Sequence, residues 1–208
     1  MPSLSEIYQS AVATPSDINE HLHVLRDHAS DCKHITQFGA RYGISTTAFM
    51  MANPEALIDW DIDPNAVVYC MAKFMAPPGH CGRVRYQPRV GNTLEIEIEP
   101  TDFLFIDSLH TYAQLKAELS RHASKVRRYL AFHDTEAFGA AGEDGTTPGL
   151  LQAIKEFQAA NREWTCCYQT RANNGLVILE KLPFMAEGAP PPLCFYRQTH
   201  ERNPERTD

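Results

Sequence analysis

Apolar positions along the chain change period repeatedly, and each change predicts an element. Residues 4–13 and 17–29 carry helical spacing, with Ile18, Leu22 and Leu25 four and three apart. Thr14-Pro15-Ser16 between them is a turn and a cap. The run His34-Ile35-Thr36-Gln37-Phe38 ends at Gly39 and predicts a strand, followed by a glycine turn and a helix over 46–52. Residues 56–61 predict a second strand, and Asp63-Pro64 opens a helix because proline suits a first turn. Past the Pro77-Pro78-Gly79 break, residues 83–90 predict a third strand. The strongest strand is 102–107, whose four consecutive apolar residues suit a parallel strand buried on both faces. Tyr112, Leu115, Leu119, Ala123 and Val126 then form one helical stripe, and 129–133 is the next buried strand. A glycine-rich acidic loop over 139–149 precedes a helix over 150–160. Residues 164–169 and 176–180 flank Asn173-Asn174-Gly175 as an antiparallel hairpin.

This alternation predicts an α/β fold: a doubly wound, mostly parallel sheet with one antiparallel strand from the C-terminal hairpin. A single domain over 1–187 is expected, with a Pro-rich polar tail over 188–208 that contains Pro190-Pro191-Pro192. In such sheets ligands sit beyond the carboxyl ends of the strands. The residues to inspect are therefore those after Phe38, Trp60, Ile106 and His133.

Composition narrows the function classes. The chain has 208 residues, with 19 basic against 26 acidic, a formal net charge of −7. That balance repels phosphate backbones, so nucleic acid is not an expected partner. No apolar run is long enough to span a membrane, and the N-terminus lacks the basic-then-apolar pattern of a signal peptide. The six cysteines form no CxxC pair and are expected to stay reduced in the cytoplasm.

Chemistry concentrates at the predicted strand ends. Gly39 and Gly43 frame a turn in which Arg41 fills the place of the middle glycine of a dinucleotide fingerprint. The turn therefore suits a nucleoside-type ligand better than a pyrophosphate, with helix-start N–H groups and the Ser45 hydroxyl as donors. Asp59 and Asp61 lie 20 and 22 residues beyond Gly39, where nucleotide-type folds grip ribose, and alternation does not separate them. Asp107 and Asp134 each follow a strongly apolar strand. Two carboxylates brought together repel unless something positive lies between them, and a hard cation such as Mg²⁺ meets that need. His133 is a candidate third ligand, or a group orienting one. His110, three residues after Asp107, can face the same cleft, and an imidazole with a pKa near ~6.5 can take a proton at neutral pH.

Taken together, the glycine turn, the acid after the second strand, FIDSLHTYAQLKAEL and AFHDT resemble class I S-adenosylmethionine-dependent methyltransferases. The likeness is to the methyltransferase domain 24 type, with its cephalosporin-hydroxylase-like and catechol-type O-methyltransferase relatives, and covers roughly residues 17–181. The resemblance implies that S-adenosylmethionine lies along Gln37, Phe38, Gly39, Arg41, Tyr42, Gly43 and Ser45. It implies Asp61 on the ribose, Asn92 and Thr93 near the adenine, and Asp107 and Ser108 beside the donor. It also implies a metal on Asp107 and Asp134, with His110 as proton acceptor. Gln37 stands where the family's first-strand motif is usually acidic, and Thr135 where an asparagine often follows the second metal aspartate.

The expected activity is thus Mg-assisted O-methylation of a small-molecule or saccharide acceptor. The competing class is a non-catalytic binding module for S-adenosylmethionine or a nucleoside. A nicotinamide oxidoreductase is disfavoured by the missing middle glycine.

Overall fold

A computed structural model describes residues 2–75 and 82–182. The Pro77-Pro78-Gly79 break, the adjoining His80-Cys81 and the tail expected over 188–208 lie outside the described residues.

Among the described residues, seven strands form one sheet in the order β3-β2-β1-β4-β5-β7-β6. They are β1 (His34–Phe38), β2 (Ala56–Asp61), β3 (Arg85–Val90), β4 (Thr101–Ile106), β5 (Val126–His133), β6 (Trp164–Thr170) and β7 (Leu176–Lys181). The first five pair in parallel, and β7 runs antiparallel to both β5 and β6. Only β7 is reversed, as the hairpin signal predicts.

Among the described residues, six α-helices cover the sheet: α1 (Leu4–Ala13), α2 (Leu22–Ala29), α3 (Ile44–Met51), α4 (Pro64–Phe74), α5 (Tyr112–His122) and α6 (Leu150–Ala160). Local chemistry sets their starts. Ser3 and Glu6 form a reciprocal capping box on α1, Asp63 caps α4 ahead of Pro64, and the Thr111 hydroxyl accepts from the Gln114 N–H on α5.

The apolar run of β4 divides between two cores. Phe103 and Phe105 pack with Ile35, Phe49, Leu22 and Leu25 beneath α1–α3. Leu104 and Ile106 pack with Phe38, Leu115, Leu119, Phe132 and Ile154 beneath α5 and α6. Burying both faces makes β4 a continuous hydrophobic string, each large side chain contributing about 1.5–3 kcal/mol.

Two boundaries differ from the sequence reading. Val126 extends the helical stripe on paper, yet it begins β5 opposite Thr101. A 3₁₀ turn over Ala123–Lys125 ends the α-helical period first. The helix expected over 17–29 instead starts with a 3₁₀ turn, Asn19–His21, and α2 follows. The Ser16 hydroxyl accepts from the Asn19 N–H and so delays the helix, which leaves Asp17 outside it.

Beneath the glycine turn lies a buried polar network. Asp59 on β2 is 1% exposed and its Oδ2 accepts from Tyr86 Oη at 2.7 Å and Thr46 Oγ1 at 2.9 Å. Gln37 Nε2 in turn donates to Thr46 Oγ1 and to the Gly39 carbonyl. Burial outweighs these donors and pushes the Asp59 carboxyl up to about 7. A carboxyl raised on folding keeps its proton in the native state after the unfolded chain has lost it. Stability therefore falls as pH rises from about 4 to about 7. The difference in unfolding free energy between Asp59→Asn and the unmodified protein, from urea titrations at pH 4 to 8, should grow in the variant's favour across that window and level off above it. A flat difference would contradict the assignment.

Candidate active site

The chain order reverses between β1 and β4, so a crevice opens at the carboxyl ends of these two strands. Backbone bonds continue past the strands: Gly39 N–H donates to the Trp60 carbonyl at 2.8 Å and Asp107 N–H to that of Phe38 at 3.0 Å. The end of β4 passes so close to Gly39 that a Cβ there would lie 1.9 Å from the Asp107 carbonyl oxygen. Gly39 also has a φ of +81°, and the turn continues with left-handed conformations at Arg41 and Gly43. Only glycine meets both conditions at position 39.

Around this crevice lies a cavity of about 530 Å³. It is lined by Gly39, Arg41 and Asp61, by the segment Gly91, Asn92, Thr93 and Leu94, and by Asp107, Ser108, His110 and Asp134. Trp60, Ile62, Leu109, Gln114 and Asp17 complete the lining.

Strand register brings the ionisable groups together. Ile106 pairs with Phe132, so Asp107 and His133 emerge side by side, and Asp134 follows with φ +57°. His110 Nε2 lies 3.2 Å from Asp107 Oδ1 and 3.0 Å from Asp134 Oδ2. His133 Nδ1 lies 3.2 and 3.5 Å from the same two oxygens. Each carboxylate thus faces both imidazoles.

The remaining ring nitrogens are also engaged. His133 Nε2 donates to the Asp17 carbonyl at 3.0 Å, and His110 Nδ1 lies 2.8 Å from Glu143 Oε2. Every partner of either ring is an acceptor, so both rings are doubly protonated in this arrangement. Burial would push His133 down, but its bonds to Asp107 and Asp134 overcome that and hold it near 10. For His110, burial is likewise outweighed by Asp107, Asp134 and Glu143, and the ring is raised to about 8. Burial would raise Asp107, yet the two imidazoles hold its carboxyl well below the usual range.

Behind this cluster Glu118 on α5 is fully buried, and its Oε1 accepts from Thr93, Ser108 and Gln114. That carboxyl ties the wall carrying Asn92 and Thr93 to the end of β4. Burial, opposed by these donors, raises it above its ordinary value.

Of the residues expected from sequence, Gly39, Arg41, Asp61, Asn92, Thr93, Asp107, Ser108, His110 and Asp134 border the cavity. Asp61 faces it while Asp59 is sealed beneath the turn, which separates the two acids that alternation left equivalent. Asp61 also accepts from the backbone N–H groups of Arg41 and Asp63. Gln37, Phe38, Tyr42, Gly43 and Ser45 are not among the residues bordering the cavity. Gln37 is buried and braces the turn, Phe38 and Ser45 are buried, and Tyr42 points outward against Tyr69. His133 is buried behind the two aspartates, both nitrogens engaged.

Asp17, Trp60 and Gln114 were not identified as site residues from sequence, whereas Glu143 lies in the Gly142-Glu143-Asp144-Gly145 stretch that reads equally as an active-site lid carrying acids toward substrate or metal and as a solvated loop. Glu143 had a signal, the acidic glycine-rich loop. Asp17 had none, because its carbonyl meets a histidine 116 positions away.

No protein-family model matches the chain, and no curated protein matches it in sequence. Solved structures do match. An O-methyltransferase from Bacillus cereus in complex with S-adenosylhomocysteine aligns over 86% of this chain and 90% of its own, at TM-score 0.60 and 16% identity. TomG, an O-methyltransferase from Streptomyces achromogenes involved in tomaymycin synthesis and solved with S-adenosylmethionine, covers 86% and 89% at TM-score 0.59 and 16% identity. NodS, an N-methyltransferase from Bradyrhizobium japonicum, covers 86% and 99% at TM-score 0.60 and 14% identity. The chain has the Rossmann-like fold of class I S-adenosylmethionine-dependent methyltransferases.

Gly39→Ala should lower unfolding free energy by more than about 2 kcal/mol in urea titrations, since left-handed strain adds to a backbone clash. A loss under half that size would mean β4 can move off the turn.

Proposed function

We propose that this protein transfers the methyl group of S-adenosylmethionine to a hydroxyl of a small molecule or saccharide, assisted by Mg²⁺. The observation that carries this reading is the meeting of Asp107, His110 and Asp134 in one cavity that Gly39, Arg41 and Asp61 also line. Asp61 keeps lone pairs free for ribose hydroxyls, and the Asn92–Leu94 wall with Trp60 offers a flat, partly apolar place for adenine.

Charge supports the donor. Three carboxylates, Asp107, Asp134 and Glu143, surround two imidazolium rings, leaving one excess negative charge beside the place of the sulfonium. The residues also fit a small cation. Asp107 Oδ1 and Asp134 Oδ2 share one neighbour at 3.0–3.2 Å, and Asp134 Oδ1 is buried with no hydrogen-bond partner. When bound, Mg²⁺ lowers the pKa of a coordinated hydroxyl and orients it.

The chain's own groups do the rest. Asp107 and Asp134 fix the acceptor end, and His110, once its Nε2 is unprotonated, receives the hydroxyl proton. As the oxygen–methyl bond forms, the carbon–sulfur bond breaks and its electron pair returns to sulfur, leaving a neutral thioether. Holding the partners in line supplies much of the acceleration.

A free small molecule as acceptor agrees with the acidic surface, and no described helix is long and apolar enough to cross a membrane. The same reading assigns the protein to the cytoplasm, where the buried thiols Cys32 and Cys70 stay reduced. It treats residues 1–187 as the catalytic domain.

Calorimetry should detect S-adenosylmethionine and S-adenosylhomocysteine but not NAD. Methyl release with a panel of hydroxylated acceptors should then fall roughly 10²–10⁴-fold in Asp107→Asn and Asp134→Asn, with donor affinity changed only a few-fold. Full turnover in excess chelator would remove the cation from the reaction. Donor binding without turnover on any acceptor would leave a binding module.

A further inference from the structure

Three polar side chains of the cavity share one acceptor behind it. Glu118 on α5 does not border the cavity, whereas Thr93, Ser108 and Gln114 do. Glu118 Oε1 accepts from Thr93 Oγ1 at 2.6 Å, from Ser108 Oγ at 2.7 Å and from Gln114 Nε2 at 2.9 Å. Among the described residues its other oxygen, Oε2, is buried with no hydrogen-bond partner, so Oε1 alone serves these donors. An oxygen that receives three hydrogens has no room for one of its own, so both hydroxyl hydrogens are turned toward Glu118. Gln114 Nε2 directs its second hydrogen to Thr93 Oγ1 at 2.9 Å, which leaves its amide oxygen over. The segment cannot swing aside to change this pattern. His122 Nε2 donates to the Thr93 carbonyl at 2.7 Å, and Asn92 is tied into its own turn by the Leu94 N–H and by Glu95. What the Thr93, Ser108 and Gln114 side chains have left for a ligand is lone pairs.

From this polarity we infer that Glu118 is a specificity-determining residue: by holding the hydroxyl hydrogens of Thr93 and Ser108 it makes this wall an acceptor, which selects a base carrying an exocyclic amine over one carrying an oxo group in its place. An amine N–H meets the lone pairs of the wall. An oxo oxygen would face them with lone pairs of its own, and a hydroxyl could turn to meet it only by taking a donor away from the buried Glu118 Oε1. Selection of this kind comes as much from repelling the wrong group as from binding the right one. The inference rests on the reading of this wall as the place of the S-adenosylmethionine base.

Calorimetry on the full-length protein tests it with S-adenosylhomocysteine, with S-inosylhomocysteine, which has an oxo group where the amine was, and with the counterpart that carries only hydrogen there. Wild type should bind the adenosyl compound roughly tenfold to a hundredfold more tightly than the inosyl one, with the third compound in between. Glu118→Met is close in shape but frees both hydroxyls to rotate, and its preference should fall to within about threefold of parity. Glu118→Gln keeps a carbonyl oxygen for the same donors and should retain the wild-type preference within about threefold. Thr93→Val removes one acceptor while leaving α5 untouched, and should lower the preference at least about threefold. A purely structural role for Glu118 would weaken all three ligands alike and leave their ratio as it was. An unchanged ratio in Glu118→Met, or in Thr93→Val where the first variant does not fold, would overturn the inference, as would parity in wild type. Wild-type protein that binds none of the three compounds would instead overturn the methyl-donor reading, and the inference with it.

Discussion

Two carboxylates emerge from neighbouring parallel strands into the same few ångströms, and their mutual repulsion is the constraint around which the site is built. Asp107 and Asp134 do not separate; they share two imidazoles, each within 3.5 Å of both acids. His133 is the inner of the two. It is anchored by the Asp17 carbonyl and meets His21 edge-on at 5.6 Å. Burial pushes His21 down to about 4, so that ring stays neutral and the positive charge is confined to the side facing the acids. The N-terminal segment, which carries none of the expected site residues, is therefore part of the electrostatics of the centre. Breaking one member of such a group leaves a buried charge without compensation, which costs far more than the group contributes when complete.

The second constraint is the close approach of β4 to the glycine turn. Because the chain reverses between β1 and β4, the Asp107 carbonyl comes to rest against Gly39. The left-handed residues that follow carry Arg41 across the opening, where its backbone N–H meets Asp61 at 2.8 Å and its guanidinium meets Asp17 at 3.3 Å. One turn thus links Asp61, the N-terminal segment and the end of β4 that carries Asp107. The exposed Arg41–Asp17 pair adds little stability by itself and serves mainly to hold the two segments in register.

Fold and acceptor are separate questions here. O- and N-methyltransferases both share this fold with the chain at 14–16% identity, so the architecture alone does not choose between hydroxyl and amine acceptors. That choice lies with the groups at the carboxyl ends of β4 and β5, where a histidine is held between acids and one oxygen of Asp134 is buried with no hydrogen-bond partner. Glu143 comes from a loop with no counterpart in the regular elements, consistent with chemistry being tuned by loops on a rigid sheet.

Much of this was legible in one dimension. Strand and helix periods, proline and glycine punctuation, and the acids placed directly after buried strands depend on local spacing. They located the sheet, its single reversed strand and the residues Asp61, Asp107, His110 and Asp134. Tertiary structure decided the rest, because those facts depend on register and distance. The Ile106–Phe132 pairing sets Asp107 beside His133, and Ser16 delays the next helix enough to leave the Asp17 carbonyl for that ring. The neighbouring β3 brings Tyr86 onto Asp59 and so seals one of two acids that alternation treats alike. A loop closed by Asp144 places Glu143 on His110 from 33 residues away. Spacing along a chain determines which face a side chain takes; only packing determines what it meets there.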